Sequence, residues 1–499
     1  MINFNKYKNF GLLALAITLI VSCESEEYDI PVEEVIPLSS GSADFSKYVS
    51  LGASFTAGFT DGALFVATQN SSFPNLLAGQ FGFAGGGDFT QPLMNDNIGG
   101  LLLGGTQVAN PRLFFTGSGI SVLDATPTTE ISNVNPGPYN NMGVPGAKSF
   151  HLLANGYGNV AGVPLGLANP YFARMASSPN TSMIEDAASQ GATFFTLSEI
   201  GGNDVLSYAV SGGSGVDQTG NFDPTTYGSN DITDPNVFAQ VFVASVDALT
   251  ANGAKGVVAN LPYITSLSHF TTVPFNPVPL DAATAGALNG AFAQYNAGLL
   301  QVEALGLMTA SERAARTINF VAGQNAVTIV DEYLTDFSAL GLPSYRQTTS
   351  DDLIVLPASS FIGTMVGENP QLINGVSVPL EDMWVLTSQE QQAIATATEA
   401  YNVTIENVAA AKGLAFVDFK TLLEEASNGG YLFDNFNMTT QLVFGGLVSL
   451  DGVHLTTRGY ALMGNKFLEA IDETYGSNFQ ASGSMLKADD FITMYPEGL

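Results

Sequence analysis

Short apolar runs alternate with stretches of helical spacing along most of this chain. That alternation confines it to folds in which parallel strands are joined by helical crossovers. Five runs read as core strands: Tyr48 to Gly52, a weaker one at Tyr139 to Gly143, Thr193 to Leu197, Lys255 to Leu261, and Leu414 to Asp418. A helix leading into the fifth opens with the capping box Thr387-x-x-Glu390. Another follows Thr457, with Tyr460, Leu462, Met463, Phe467 and Ile471 at helical spacing. The intervals between strands are unequal. Residues 82–138 are Gly-rich and without clear periodicity. Residues 262–386 hold a helical stretch around Leu280 to Leu307 and a predicted hairpin, Thr317 to Val321 against Ala326 to Asp331 around Gly323-Gln324-Asn325. Both intervals read as insertions into one domain, and no internal repeat is visible.

The N-terminus carries a separate message. Lys6 and Lys8 precede an apolar stretch, Gly11 to Val21, that is short for a bilayer span. Residues 1–22 thus read as a signal peptide. Ile20-Val21-Ser22-Cys23 closes the stretch in the manner of a bacterial lipobox, which predicts lipidation of Cys23 and a membrane anchor there. Glu24, Glu26 and Glu27 resemble the acidic export signals of Bacteroidetes-type surface lipoproteins, so the expected location is the cell envelope, at the outer membrane, with the leaflet left open between the inner and the surface-exposed one. Residues 23–46 read as an acidic tether, 47–475 as the domain and 476–499 as a tail. Cys23 is the single cysteine, which excludes a disulfide framework and a thiolate metal site. The chain has 15 Lys and Arg against 46 Asp and Glu, a net charge of -31. That balance argues against nucleic acid and against a basic patch for anionic lipid.

Three separated segments carry chemistry. Ser50-Leu51-Gly52-Ala53-Ser54-Phe55-Thr56-Ala57-Gly58 ends the first strand, and small residues around Ser54 permit a tight turn that exposes its hydroxyl. Alone, this is also the pattern of a strand-to-helix turn with Ser54 as N-cap. Gly201-Gly202-Asn203-Asp204 follows the third strand, and Asn203 offers an uncharged amide donor suited to a developing oxyanion. The same four residues are common turn formers. Asp451-Gly452-Val453-His454 precedes the last helix. Histidine carries protons near neutral pH, and a carboxylate three residues away on a glycine-bent loop can hold its other ring nitrogen. The choice of base is narrow, because His151, His269 and His454 are the only histidines.

In this order the three segments resemble the motif blocks of the SGNH (GDSL-like) hydrolases. Gly143-Val144-Pro145-Gly146-Ala147 is similar to the family's remaining block. The resemblance covers the blocks and the core strands. It implies a flavodoxin-like five-stranded sheet of order 2-1-3-4-5 with helices on both faces. It also implies that Ser54 is the nucleophile, His454 the base and Asp451 its orienting acid. The oxyanion hole would be the N–H groups of Ser54 and Gly146 with the Asn203 amide. In such a sheet ligands bind at the carboxyl ends of strands one and three, which Ser54 and Asn203 follow. One departure stands out: Ala53 occupies the place of the aspartate in the family's usual Gly-Asp-Ser.

Rival motifs are missing. There is no Gly-x-Ser-x-Gly elbow, no His-Glu-x-x-His, and neither Gly146-Ala147-Lys148-Ser149 nor Gly85-Gly86-Gly87 has the spacing of a nucleotide-binding loop. His151, five residues past Gly146, reads as structural. The expected activity is hydrolysis of a carboxylic ester, on lipid or acetylated glycan, with no metal or organic cofactor. A carbohydrate O-acetylesterase would use the same residues. A non-catalytic surface binding lipoprotein is the reading that Ala53 and the insertions favour. The insertions, which both begin at the carboxyl edge, are expected to wall the cleft.

Overall fold

The computed structural model describes residues 36–499. The signal peptide, Cys23 and the first part of the tether lie outside the described residues. The five apolar runs form one sheet of β1 (Tyr48–Gly52), β2 (Asn141–Gly143), β3 (Phe194–Leu197), β4 (Lys255–Ala259) and β5 (Ala415–Val417). Every neighbouring pair is parallel, and the order is β2-β1-β3-β4-β5, the predicted 2-1-3-4-5. The winding reverses between β1 and β3, so the crevice lies at their carboxyl ends.

The helices that position the site are α1 (Ser54–Ala57), α2 (Phe73–Phe83), α3 (Met183–Ser189), α4 (Gly202–Val210), α5 (Pro235–Thr250), α6 (Ser388–Lys412), α7 (Phe419–Ser427) and α8 (Thr457–Tyr475). Strand side chains alternate between two cores. Val49, Leu51, Phe195, Leu197 and Val258 pack in one core with residues of α3, α4, α5 and α6. Tyr48, Phe194, Val257 and Ala259 pack in the other with Phe73, Leu77 and Phe81 of α2 and Met463, Phe467 and Ile471 of α8. A sheet covered on both faces needs apolar residues at consecutive positions, which is why these runs stood out in the sequence. The predicted capping box is formed, with the Thr387 N–H donating to Glu390 Oε2 at 2.5 Å. Thr456 caps α8 by accepting from the Gly459 N–H at 3.0 Å.

The predicted hairpin in residues 262–386 does not form. Gly323–Asn325 pairs instead with Val278–Leu280, and Thr328–Val330 with Tyr345–Gln347. The reason lies in two asparagines. The predicted helical stretch is two helices, Ala282–Ala291 and Ala293–Ala304. Asn289 and Asn296 from these helices bond both backbone groups of Phe320 and Ile318. The backbone groups a strand partner would have used are thereby occupied. Residues 82–138 fold into two small hairpins, Leu101–Leu103 with Thr106–Ala109 and Leu113–Phe115 with Ile120–Val122.

Both ends of the domain extend further than the sequence boundaries placed them. Ala43 and Phe45, read as tether, are core residues beside Phe81 and Phe194. Phe479, Leu486, Ala488 and Tyr495 of the tail are buried. Arg112, fully buried, donates to the carbonyls of Asn97, Pro496 and Glu497 and so clamps that segment to the first insertion.

Candidate active site

Ser54 owes its position to the way β1 stops. Ala53 has φ -109 and ψ -129, outside the helical region, and Ser54 then opens α1. The first N–H groups of a helix have no partner within it. Gly52 makes the turn possible: a Cβ there would meet Thr56 Oγ1 at 2.1 Å and Glu199 Oε1 at 2.8 Å.

Glu199 is the site residue that sequence reasoning missed. It follows β3 with φ +49, a conformation uncommon for a residue with a side chain. Its Oε1 accepts from the Ala53 N–H at 2.7 Å and the Thr56 N–H at 2.8 Å, so it grips the turn on both sides of Ser54. Burial pushes its carboxyl up to about 7, against the pull of these bonds and of the Thr56 and Ser198 hydroxyls. The available signal was a charged residue between a core strand and a Gly-Gly turn. Because the folded state holds this proton up to about 7 and the unfolded chain releases it near 4.5, the group's contribution to stability is full below 4.5 and lost as pH rises through 7. Glu199→Gln keeps an acceptor and cannot ionise. Its stability relative to wild type should improve by roughly 3 kcal/mol between pH 4 and pH 8. Urea unfolding of both proteins at the two pH values checks this, and an unchanged difference contradicts it.

Asp451 and His454 form the second half of the site. Asp451 Oδ1 accepts from the Val453 and His454 N–H groups, each at 2.8 Å, and from Ser449 Oγ at 3.1 Å. Its Oδ2 accepts from the Gly62 N–H and pairs with His454 Nδ1, each at 2.9 Å. Burial alone would raise this carboxyl, but the adjacent His454 and the backbone donors outweigh it and hold it well below the usual carboxylate range. Gly452, at φ +78, lets the loop pass His269, whose backbone N a Cβ would meet at 2.8 Å. With Nδ1 held by Asp451, Nε2 is the ring nitrogen left for chemistry. The ring packs against Phe55 and Phe59, with centroids 5.7 and 4.6 Å away. Among the described residues no hydrogen bond joins Ser54 Oγ to His454 Nε2. Such bonds are often loose until substrate binds.

The remaining blocks meet at the same edge. Asn203 Nδ2 donates to the Ala147 carbonyl at 2.9 Å, which ties α4 to the loop bearing Gly146. The amide carries a second N–H. Gly146 has φ +79 and is exposed. Among the described residues, the backbone N–H groups of Ser54 and Gly146 have no backbone acceptor outside regular elements. Ser54 and Asn203 line one cavity of about 110 Å³, together with Ser198, Glu199 and Asn260. Its other walls are all apolar residues or glycine, including Val453 and Leu455 on either side of His454. From the insertions it takes only Pro262, Ile264 and Leu267, so residues 82–138 do not wall this cavity as expected.

The other histidines serve the framework. His151 Nδ1 accepts from the Lys148 N–H at 3.0 Å, the ring stacks on Tyr157, and burial pushes it down to about 3. His269 is buried behind Gly452, which likewise lowers it.

The fold and site together define a doubly wound α/β protein with a serine, a carboxylate-held histidine and an amide donor at one sheet edge. No protein-family model matches the chain, and no curated protein matches it. Among solved structures it aligns with an extracellular lipase from Streptomyces rimosus at 12% identity, covering 86% of this chain and 98% of that one, with a TM-score of 0.28. A score that low speaks for neither a shared fold nor a shared activity.

Proposed function

We propose that this chain is a serine hydrolase of the SGNH type that cleaves carboxylic esters through an acyl-enzyme. The observation that carries the reading is Asp451, whose carboxylate is held by backbone and side-chain donors and in turn fixes His454 Nδ1. In the reaction His454 Nε2 takes the Ser54 proton as Oγ attacks the ester carbonyl. The Ser54 and Gly146 N–H groups and the Asn203 amide receive the oxyanion. The protonated His454 then gives its proton to the departing alcohol. Water, deprotonated by His454, attacks the acyl-enzyme and releases the acid. Glu199 supports this by fixing the turn that presents Ser54. The test is ester turnover by the purified chain, abolished by a fluorophosphonate. Intact turnover after stoichiometric labelling contradicts it.

We also propose that Cys23 carries lipid and holds the enzyme at the outer membrane, on the strength of the lipobox-like Ile20-Val21-Ser22-Cys23. Cys23→Ala should leave the membrane fraction or fail to mature. Mass spectrometry of the wild-type N-terminus finding no acyl groups contradicts the anchor.

A further inference from the structure

The cavity beside Ser54 is more than the chemistry requires. It extends among Leu206 of α4, Leu261 and Ile264 after β4, Leu423 of α7, and Leu462 and Met463 of α8. Leu261, Leu462 and Met463 are almost fully buried, so this end of the cavity reaches below the surface, while Phe55, Leu206 and Leu422 at its other walls are only partly buried. An apolar void costs stability in proportion to its volume, because its walls lose packing partners. A lining this apolar suits an aliphatic guest.

Reaction order decides which half of an ester goes there. The acyl group stays bonded to Ser54 until water arrives, whereas the alcohol must leave first, next to the histidine that protonates it. His454 is not among the cavity walls, although both its neighbours are. The enclosed side therefore suits the acyl half and the His454 side the leaving alcohol. We propose that this cavity is an acyl-chain pocket and that the substrates are esters of linear aliphatic acids of several carbons, not acetyl esters. This rests on the serine-hydrolase reading above.

Each methylene moved from water into the pocket is worth about a fourfold gain in kcat/KM. With one fixed leaving group, p-nitrophenol, wild-type kcat/KM should rise on the order of a hundredfold between acetate and hexanoate. Leu423→Trp fills the cavity and should lower the hexanoate-to-acetate ratio roughly tenfold or more. The wild-type series decides the matter even if that variant does not fold. A flat or falling series, or preference for acetylated xylan over hexanoate, overturns the acyl pocket and leaves the hydrolase standing. No turnover of any ester, together with no labelling of Ser54 by a fluorophosphonate, overturns the hydrolase reading and the pocket with it.

Discussion

Ser54→Ala and His454→Ala should each lower kcat on the best ester by about a million-fold, with the double variant little worse. In the proposed mechanism the two residues act in one event, so removing either removes the attack itself. What would then remain is the proposed oxyanion hole and substrate binding, worth a residual acceleration of about a thousandfold over water. Neither substitution should unfold the protein. Ser54 contributes only a small hydroxyl at the helix start, and the turn around it is gripped through the backbone by Glu199. Steady-state kinetics with thermal unfolding on the same preparations separates loss of chemistry from loss of fold. Additive losses, with the double variant far below either single, would mean that the two residues serve separate steps.

Asp451→Asn should cost about ten-thousandfold in kcat and lower the melting temperature as well. The geometry makes asparagine a poor replacement. Both carboxylate oxygens accept from N–H donors, Oδ1 from Val453 and His454 and Oδ2 from Gly62 and His454 Nδ1. An amide must turn its NH2 toward one of these sets, leaving donors facing donors. The sign with pH follows from the depressed carboxyl. Its stabilisation is full above the ordinary value of 3.8 and is lost as pH falls through the lower folded value. The stability deficit of the variant should therefore be constant near neutrality and shrink in acid. A deficit that grows in acid, or wild-type turnover in the variant, contradicts this role.

The sheet was legible because parallel strands buried on both faces must be apolar at consecutive positions, as Phe194–Leu197 and Lys255–Ala259 nearly are. β2 was faint because its core is only Asn141, Met142 and Gly143, and Asn141 spends its side chain on the Thr56 carbonyl and Gln91. The site's short-range pair was readable, since Asp451 and His454 share one glycine-bent loop. Long-range support was not. Glu199 reaches Ala53 and Thr56 across more than 140 residues, and no local pattern encodes that meeting. The insertions failed for the same reason: Asn289 and Asn296 replace a strand partner for Phe320 and Ile318, a pairing invisible to period-two patterning. The depth of the cavity was equally hidden, because its walls come from five separated segments.

If Ser54 is a nucleophile activated by His454, it reacts covalently with an electrophilic phosphonate. Incubating the purified protein with a fluorophosphonate and mapping the adduct by peptide mass spectrometry tests it without knowledge of the natural ester. One adduct per chain is expected, on Ser54, absent in Ser54→Ala and formed far more slowly in His454→Ala. Labelling that persists in Ser54→Ala, or an unmodified Ser54 in active protein, would contradict it.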